Sequence, residues 1–254
     1  MQGYSSRPMQ GLALAFDGVI SDSAREAFAV ALRTYTGLRP ASPLQQTEEL
    51  YAGFVELMPL GNRAEDYAVI LAALEEKVAL GDQAAYDAFY RQQDAEQLRA
   101  FHERFYRART AWAERDPQGW RRMLSPYPEM LEILHRRASQ VTLAIATAKD
   151  RFSVGMLLHD YGIASLFRED LVLDKETGVT KRSHLERLQQ SLEVPFEAIT
   201  FVDDKVNHLE TVAGLGVRCG LAAWGYNGRR EWEAAERAGH LVLHLHDLEA
   251  QLFG

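Results

Sequence analysis

Short apolar runs alternate with stretches of helical periodicity over most of the chain, and one long interval carries helical periodicity alone. Residues 11–16 (GLALAF) are apolar and too few for a helix, which predicts a buried parallel strand. The following SAREAFAVALRTY has apolar residues at helical spacing, with Asp22 or Ser23 able to cap its start. From 36 to 124 no convincing β run appears. The helical segments there are QQTEELYAGFVELM, RAEDYAVILAALEEKVA and one long run from Asp82 to Asp116, with breaks at GLRPASP and Pro59-Leu60-Gly61-Asn62.

From 127 the rhythm becomes an alternation. PYPEMLEILHRRAS reads as a helix, VTLAIA as a strand, RFSVGMLLHDYG as a helix, EDLVLD as a strand and SHLERLQQSL as a helix. AITFVD, RCGLAAW and HLVLHL read as further strands separated by helices, and DLEAQLF as a closing helix. Short apolar strands alternating with helices predict an α/β fold, a doubly wound and mainly parallel sheet covered on both faces. The expected organisation is a core made of 1–35 and 125–254, with 36–124 a helical cap subdomain inserted after the first strand. Ligands of such sheets bind outside the carboxyl ends of the strands.

Composition narrows the classes. The 254 residues are 47% hydrophobic and 25% charged, a globular balance. The net charge of −8 lacks the broad positive field of a nucleic-acid binder. The one cysteine, Cys219, allows no internal disulfide, in keeping with a reducing compartment. The opening MQGYSSRPMQ has no apolar core of a signal peptide and reads as a loose leader, and no apolar run reaches the roughly 18 residues of a membrane span. A soluble cytoplasmic protein is expected, with no membrane partner; the oligomeric state is open.

Polar residues follow the predicted strands in order. Asp17-Gly18 follows the first and reads either as a strand-ending turn or as part of a site. Thr147 follows VTLAIA, where its hydroxyl and the backbone N–H of Ala148 can donate to an anion; a plain helix cap with Asp150 is the alternative. Lys149 beside it reads as solvated. Lys181, abutting the start of a helix, can offset phosphoryl charge and is preferred to Lys175, which sits in a turn-like Asp-Lys-Glu-Thr-Gly. Asp203-Asp204 follows AITFV. Adjacent carboxylates at a buried strand end repel unless a cation lies between them, and hard oxygen donors in small number suit Mg²⁺. Two exposed capping aspartates are the alternative.

The stretch LALAFDGVISDS, with Thr147, Lys181 and Asp203-Asp204 in this order, resembles the haloacid dehalogenase superfamily, whose opening reads hhhhDxDG(V/T)hhDS. The likeness covers 11–35 and 127–254 by motif, and the insertion by position. It points to the helical-cap branch of phosphoglycolate phosphatases and β-phosphoglucomutases, with a Rossmann-like core. It implies that Asp17 is the acid/base and, through its carbonyl, a metal ligand. Thr147, Lys181, Gly18 and Ala148 would then hold phosphate, and Asp203 and Asp204 would hold Mg²⁺. The substrate class implied is a small phosphorylated metabolite. The nucleophilic aspartate of the pattern falls on Ala15, whose methyl group cannot attack phosphorus.

Two accounts fit Ala15. The parent is a working Mg²⁺-dependent phosphatase and Ala15 is an engineered substitution to trap a ligand, or the chain is a natural pseudophosphatase that binds a phosphorylated metabolite without turnover. A phosphomutase uses the same residues. The paired aspartates argue against a metal-free dehalogenase, and Lys77, the one lysine of the cap, reads as a surface residue and not a Schiff-base lysine. Arg63 is the cap's candidate for a substrate anion. His244 and His246 read as sheet residues, and Trp224 and Tyr226 as rim packing.

Overall fold

The computed structural model describes residues 8–61, 63–178 and 180–254. Residues 1–7 of the expected leader, Asn62 of the predicted break and Val179 lie outside the described residues. The chain forms two compact units, Met1–Asp22 with Pro126–Gly254, and Ser23–Ser125.

The first unit holds a six-stranded parallel sheet. Its strands are β1 (Gly11–Leu14), β2 (Thr142–Ala146), β3 (Val172–Leu173), β4 (Ile199–Asp203), β5 (Arg218–Ala222) and β6 (Leu241–Leu243), arranged β3-β2-β1-β4-β5-β6. The strands are short and apolar because both faces are covered, so no polar alternation is needed. Leu12, Ala13 and Leu14 are fully buried, as are Ala144, Ile145, Ala146, Ile199 and Phe201. β1 is central: Leu14 pairs with Ile145 on one side and Val202 on the other. Three chain segments therefore leave the sheet side by side at its carboxyl edge.

Two of the predicted strands are shorter than their apolar runs. In EDLVLD the first part is a 3₁₀ turn (Glu169–Leu171), and Val172–Leu173 alone joins the sheet. HLVLHL stops at Leu243, where the side chain of Gln251 takes the His244 N–H at 3.2 Å and a 3₁₀ turn begins. His244 and His246 therefore lie beyond the strand, with His244 edge-on to Trp232.

The second unit is helical: Ala24–Leu38, Glu48–Leu57, Ala64–Glu76, Gln83–Tyr90, Ala95–Arg115 and Pro117–Arg121. The long run 82–116 is two helices. Asp94 restarts the second by accepting the N–H groups of Glu96 and Gln97 at 2.8 and 3.0 Å, a cap that an unbroken apolar period conceals. The boundary falls at Ser23, where sequence placed it after 35. The helix Ala24–Leu38 belongs with the helical unit because its apolar face packs there, with Phe28 against Phe54 and Tyr51.

A buried ion pair pins this unit. Glu26 has no exposed surface and takes two hydrogen bonds from Arg109, both at 2.7 Å, and a third from the Trp120 indole at 3.1 Å. Arg109 also lies over the Phe105 ring. Replacing Arg109 with Met strands a buried carboxylate and is expected to cost about 3–5 kcal/mol in urea unfolding. The double variant Glu26→Leu/Arg109→Met is expected to recover most of that loss.

Candidate active site

The loop after β1 is tight. Ala15 still donates its N–H to Val202 O at 2.9 Å, and the carbonyl of Phe16 then accepts from both Ile20 and Ser21. Gly18 closes the turn with its N–H to Ser21 O and a φ of +75°, a conformation that favours glycine. A Cβ at Gly18 would overlap the carboxylate of Asp204, so the absence of a side chain there lets backbone and carboxylate approach. A Cβ at Gly225 would overlap the Asp204 Cβ and the Gly18 carbonyl, so that glycine too lets backbone pack against this residue. Tyr161 braces this loop by stacking on Phe16 and sharing a 2.7 Å hydrogen bond with Ser21. Trp224 donates to Val19 O at 3.1 Å, and the Tyr226 hydroxyl to Asp22 at 3.2 Å. These two rings thus fasten the loop in addition to packing beside it.

After β2, Thr147 is buried and its hydroxyl oxygen accepts the N–H of Lys149 at 3.1 Å. The bend leaves Ala148 exposed and turns Lys149 inward. The expectation of a solvated Lys149 is thereby corrected: its side chain is 1% exposed and its ammonium lies 2.9 Å from Asp17 Oδ1. Local sequence carries no information on which side of a two-residue bend faces in. Asp150 caps the next helix through Ser153 N–H at 2.9 Å.

Lys181 opens the helix Lys181–Leu192 and reaches back to the sheet. Its ammonium is 2.8 Å from Asp203 Oδ2 and donates to Ala146 O at 2.7 Å. The turn before it is anchored by His184, whose Nε2 lies 3.0 and 3.1 Å from the carbonyls of Asp174 and Gly178 and must therefore carry the proton. Asp174 is fully buried and accepts from Arg151 at 2.7 Å. Lys175 contributes a backbone N–H to Lys149 O.

Asp203 and Asp204 end β4 and are both buried. Burial disfavours ionisation of Asp203, but Lys181 and then His208 more than offset it and hold the carboxyl well below the usual carboxylate range. Burial and then the charge of Asp203 push Asp204 up to about 7, against the pull of Lys205. Asp204 accepts the Tyr226 N–H at 3.2 Å, and Asn227 donates to the Asp204 carbonyl at 2.9 Å. His208 lies 3.1 Å from both oxygens of Asp203; burial lowers its pKa despite that carboxylate. Sequence reading did not select Lys149, Lys205, His208 or Asn227. The one available signal was position: Lys149 is two residues past a strand-end threonine, and His208 is one helical turn past the acidic pair.

Ala15, Asp17, Gly18, Thr147, Asp203 and Asp204 thus lie at the carboxyl ends of three adjacent strands, and the Lys181 ammonium reaches Ala146 and Asp203 there from a helix start. Arg63 belongs to the other unit. It precedes the helix Ala64–Glu76, donates its N–H to Asp66 at 2.7 Å, and has a 69% exposed side chain 3.9 Å from Glu65. Among the described residues no group of three or more His, Cys, Asp or Glu side chains is arranged as a metal site. The donors still suit a magnesium ion, which takes one or two carboxylates and fills its shell with water or phosphate oxygens. Glycine at position 18 leaves the Asp204 carboxylate without side-chain bulk on that side, where a Cβ would overlap it.

Residues 14–216 match a family described as haloacid dehalogenase-like hydrolase. No curated protein matches the sequence. Among solved structures, the chain is similar to a "predicted phosphoglycolate phosphatase" from Haemophilus somnus 129PT (17% identity, TM-score 0.68, covering 97% of this chain and 99% of that one). A protein with the same provisional designation from Lactobacillus delbrueckii subsp. bulgaricus has 15% identity and a TM-score of 0.72, covering 97% and 98%. A haloacid dehalogenase-like hydrolase from Streptococcus pneumoniae has 12% identity and a TM-score of 0.65, covering 96% and 98%. At these identities the likeness is one of fold. No helix among the described residues is long and apolar enough to cross a membrane.

The buried His184 gives a pH test. Burial, and then the Lys181 charge, lower its pKa from 6.5, and its Nδ1 is buried without a partner. The unfolded chain therefore binds more protons than the folded one just below pH 6.5, so stability is full above that pH and falls on acidification through the folded pKa. Urea unfolding at pH 7.5 and at stepwise lower pH is expected to show a loss of at most about 1.4 kcal/mol per pH unit from this group. His184→Gln is expected to flatten that part of the slope; an unchanged slope contradicts the assignment.

Proposed function

The chain belongs to the haloacid dehalogenase-like hydrolases, and from that premise we propose that its framework is that of a Mg²⁺-dependent hydrolase of small phosphomonoesters whose nucleophile position holds Ala15. The observation that carries this reading is the Lys181–Asp203 pair beside Asp204, Thr147 and the Asp17 loop at the ends of three adjacent strands. A hydroxyl, an ammonium and backbone N–H groups suit a phosphoryl group's oxygens there. Family membership and this geometry support the roles given below.

Asp17 is the acid/base of the reading. Thr147, Lys181, Gly18 and Ala148 hold the phosphoryl oxygens. Asp203, Asp204 and the Asp17 carbonyl would hold Mg²⁺, which when bound offsets phosphoryl charge. In a form with aspartate at 15, that carboxylate attacks phosphorus, the ester oxygen departs with a proton from Asp17, and water then hydrolyses the aspartyl-phosphate. Ala15 has no lone pair to give, so this chain binds an ester without turning it over by that route.

A second reading, a protein that binds a phosphorylated metabolite as its function, is favoured by the Lys149–Asp17 contact at 2.9 Å. The Lys149 ammonium occupies an oxygen of the carboxylate that the hydrolase reading uses as its acid.

Ala15→Asp is expected to produce Mg²⁺-dependent phosphate release from at least one small phosphomonoester in a substrate panel. Adding Asp17→Asn is expected to reduce that rate by about 10²–10⁴. A panel with no gain over the Ala15 chain overturns the hydrolase reading and leaves the binding one.

A further inference from the structure

The break between the helices Gln83–Tyr90 and Ala95–Arg115 borders a cleft within the helical unit. Its volume is about 480 Å³, in the range of small-molecule pockets. The cause is local. Asp94 restarts the second helix by capping it, and the turn from Arg91 to Asp94 leaves the cleft open beside Glu65 at the start of Ala64–Glu76.

Most of the cleft wall is apolar. Leu98 is buried in it, and the half-buried Tyr90 ring lies 6.3 Å from the ring of the buried Tyr86. His102 forms a further side. Its Nδ1 is 2.6 Å from Glu65 Oε2, and its ring is edge-on to Tyr106 with centroids 5.0 Å apart, so two contacts fix it.

Charge decides what fits. Among the described residues Glu65 is the one acidic group lining the cleft, and it is spent inside the protein: its side chain is 15% exposed, with His102 at 2.6 Å and Arg63 at 3.9 Å. Two guanidinium groups line the same cleft. Arg91 stands just past the first helix and Arg99 in the second turn of the next. Both are exposed, and among the described residues neither is held in an ion pair. A guanidinium is a planar fork that matches a carboxylate. An apolar wall gives nothing to a bare inorganic ion and stabilises a hydrocarbon body.

We propose that this cleft binds a small organic carboxylate, an aryl or alkyl acid whose apolar body lies against Tyr90 and Leu98 and whose charge is met by Arg91 and Arg99. His102, held by Glu65, is the fixed side of the pocket. The site uses none of the strand-end groups, and the inference stands apart from the phosphomonoester reading.

The test is an NMR titration of the full chain, at fixed ionic strength, with phenylacetate, phenylacetamide, acetate and phenethylamine. Phenylacetate is expected to saturate with a Kd of about 1 mM or tighter. Phenylacetamide keeps the ring without the charge and acetate keeps the charge without the ring, and each is expected to bind at least about tenfold more weakly, as is the cationic phenethylamine. The double variant Arg91→Gln/Arg99→Gln changes two exposed side chains. It is expected to weaken phenylacetate at least about tenfold and to leave phenylacetamide within about twofold. Should it fail to fold by circular dichroism, Arg99→Gln alone serves, with a loss of at least about threefold. No saturable phenylacetate binding overturns the inference, as does equal or tighter binding of the amide, of acetate or of the amine. An unchanged phenylacetate affinity in the variant used also overturns it. Each of these results leaves the strand-end reading standing, since the variants keep every residue of it.

Discussion

The pairing of β1 with strands on both sides is the constraint on which the site depends. Leu14 sits level with Ile145 and Val202 in parallel register. A slip of one residue would turn each buried side chain of Gly11–Leu14 to the opposite face. It would also move the Asp17 loop relative to Thr147 and Asp203. Burial of about 1.5–3 kcal/mol for each large apolar side chain in these strands holds the register. The polar groups inherit their positions from it.

Those positions are costly to occupy. Carboxylates at a strand end need partners, and this protein brings them from different segments: Lys149 from the bend after β2 and Lys181 from a helix start. The supporting contacts have the same logic. His184 and the Arg151–Asp174 pair fix the turn that aims Lys181, and Tyr161, Trp224 and Tyr226 fasten the loop that carries Asp17. The helical unit solves its own version of the problem by giving Glu26 three donors from Arg109 and Trp120. In each place a buried charge is tolerated because its hydrogen-bonding capacity is met.

Family membership and geometry bear differently on function. The first names a hydrolase framework. The second adds a feature that the motif pattern does not contain, an ammonium on the aspartate that the framework would use as its acid.

Sequence alone determined the alternation of strands and helices, the parallel sheet, the helical insertion and the polar residues at the strand ends, because apolar periodicity and strand-end punctuation are local properties. It missed the helix break at 91–94, which a side-chain cap creates without glycine or proline, and it kept the helix Ala24–Leu38 with the wrong unit, because a helix's period does not say which core receives its apolar face. It took Lys149 for a solvated residue. Tertiary structure decided which lysine meets which aspartate, because an ion pair 132 residues apart depends on strand register and on the direction of a bend. Neither is written in the identities of the neighbouring residues.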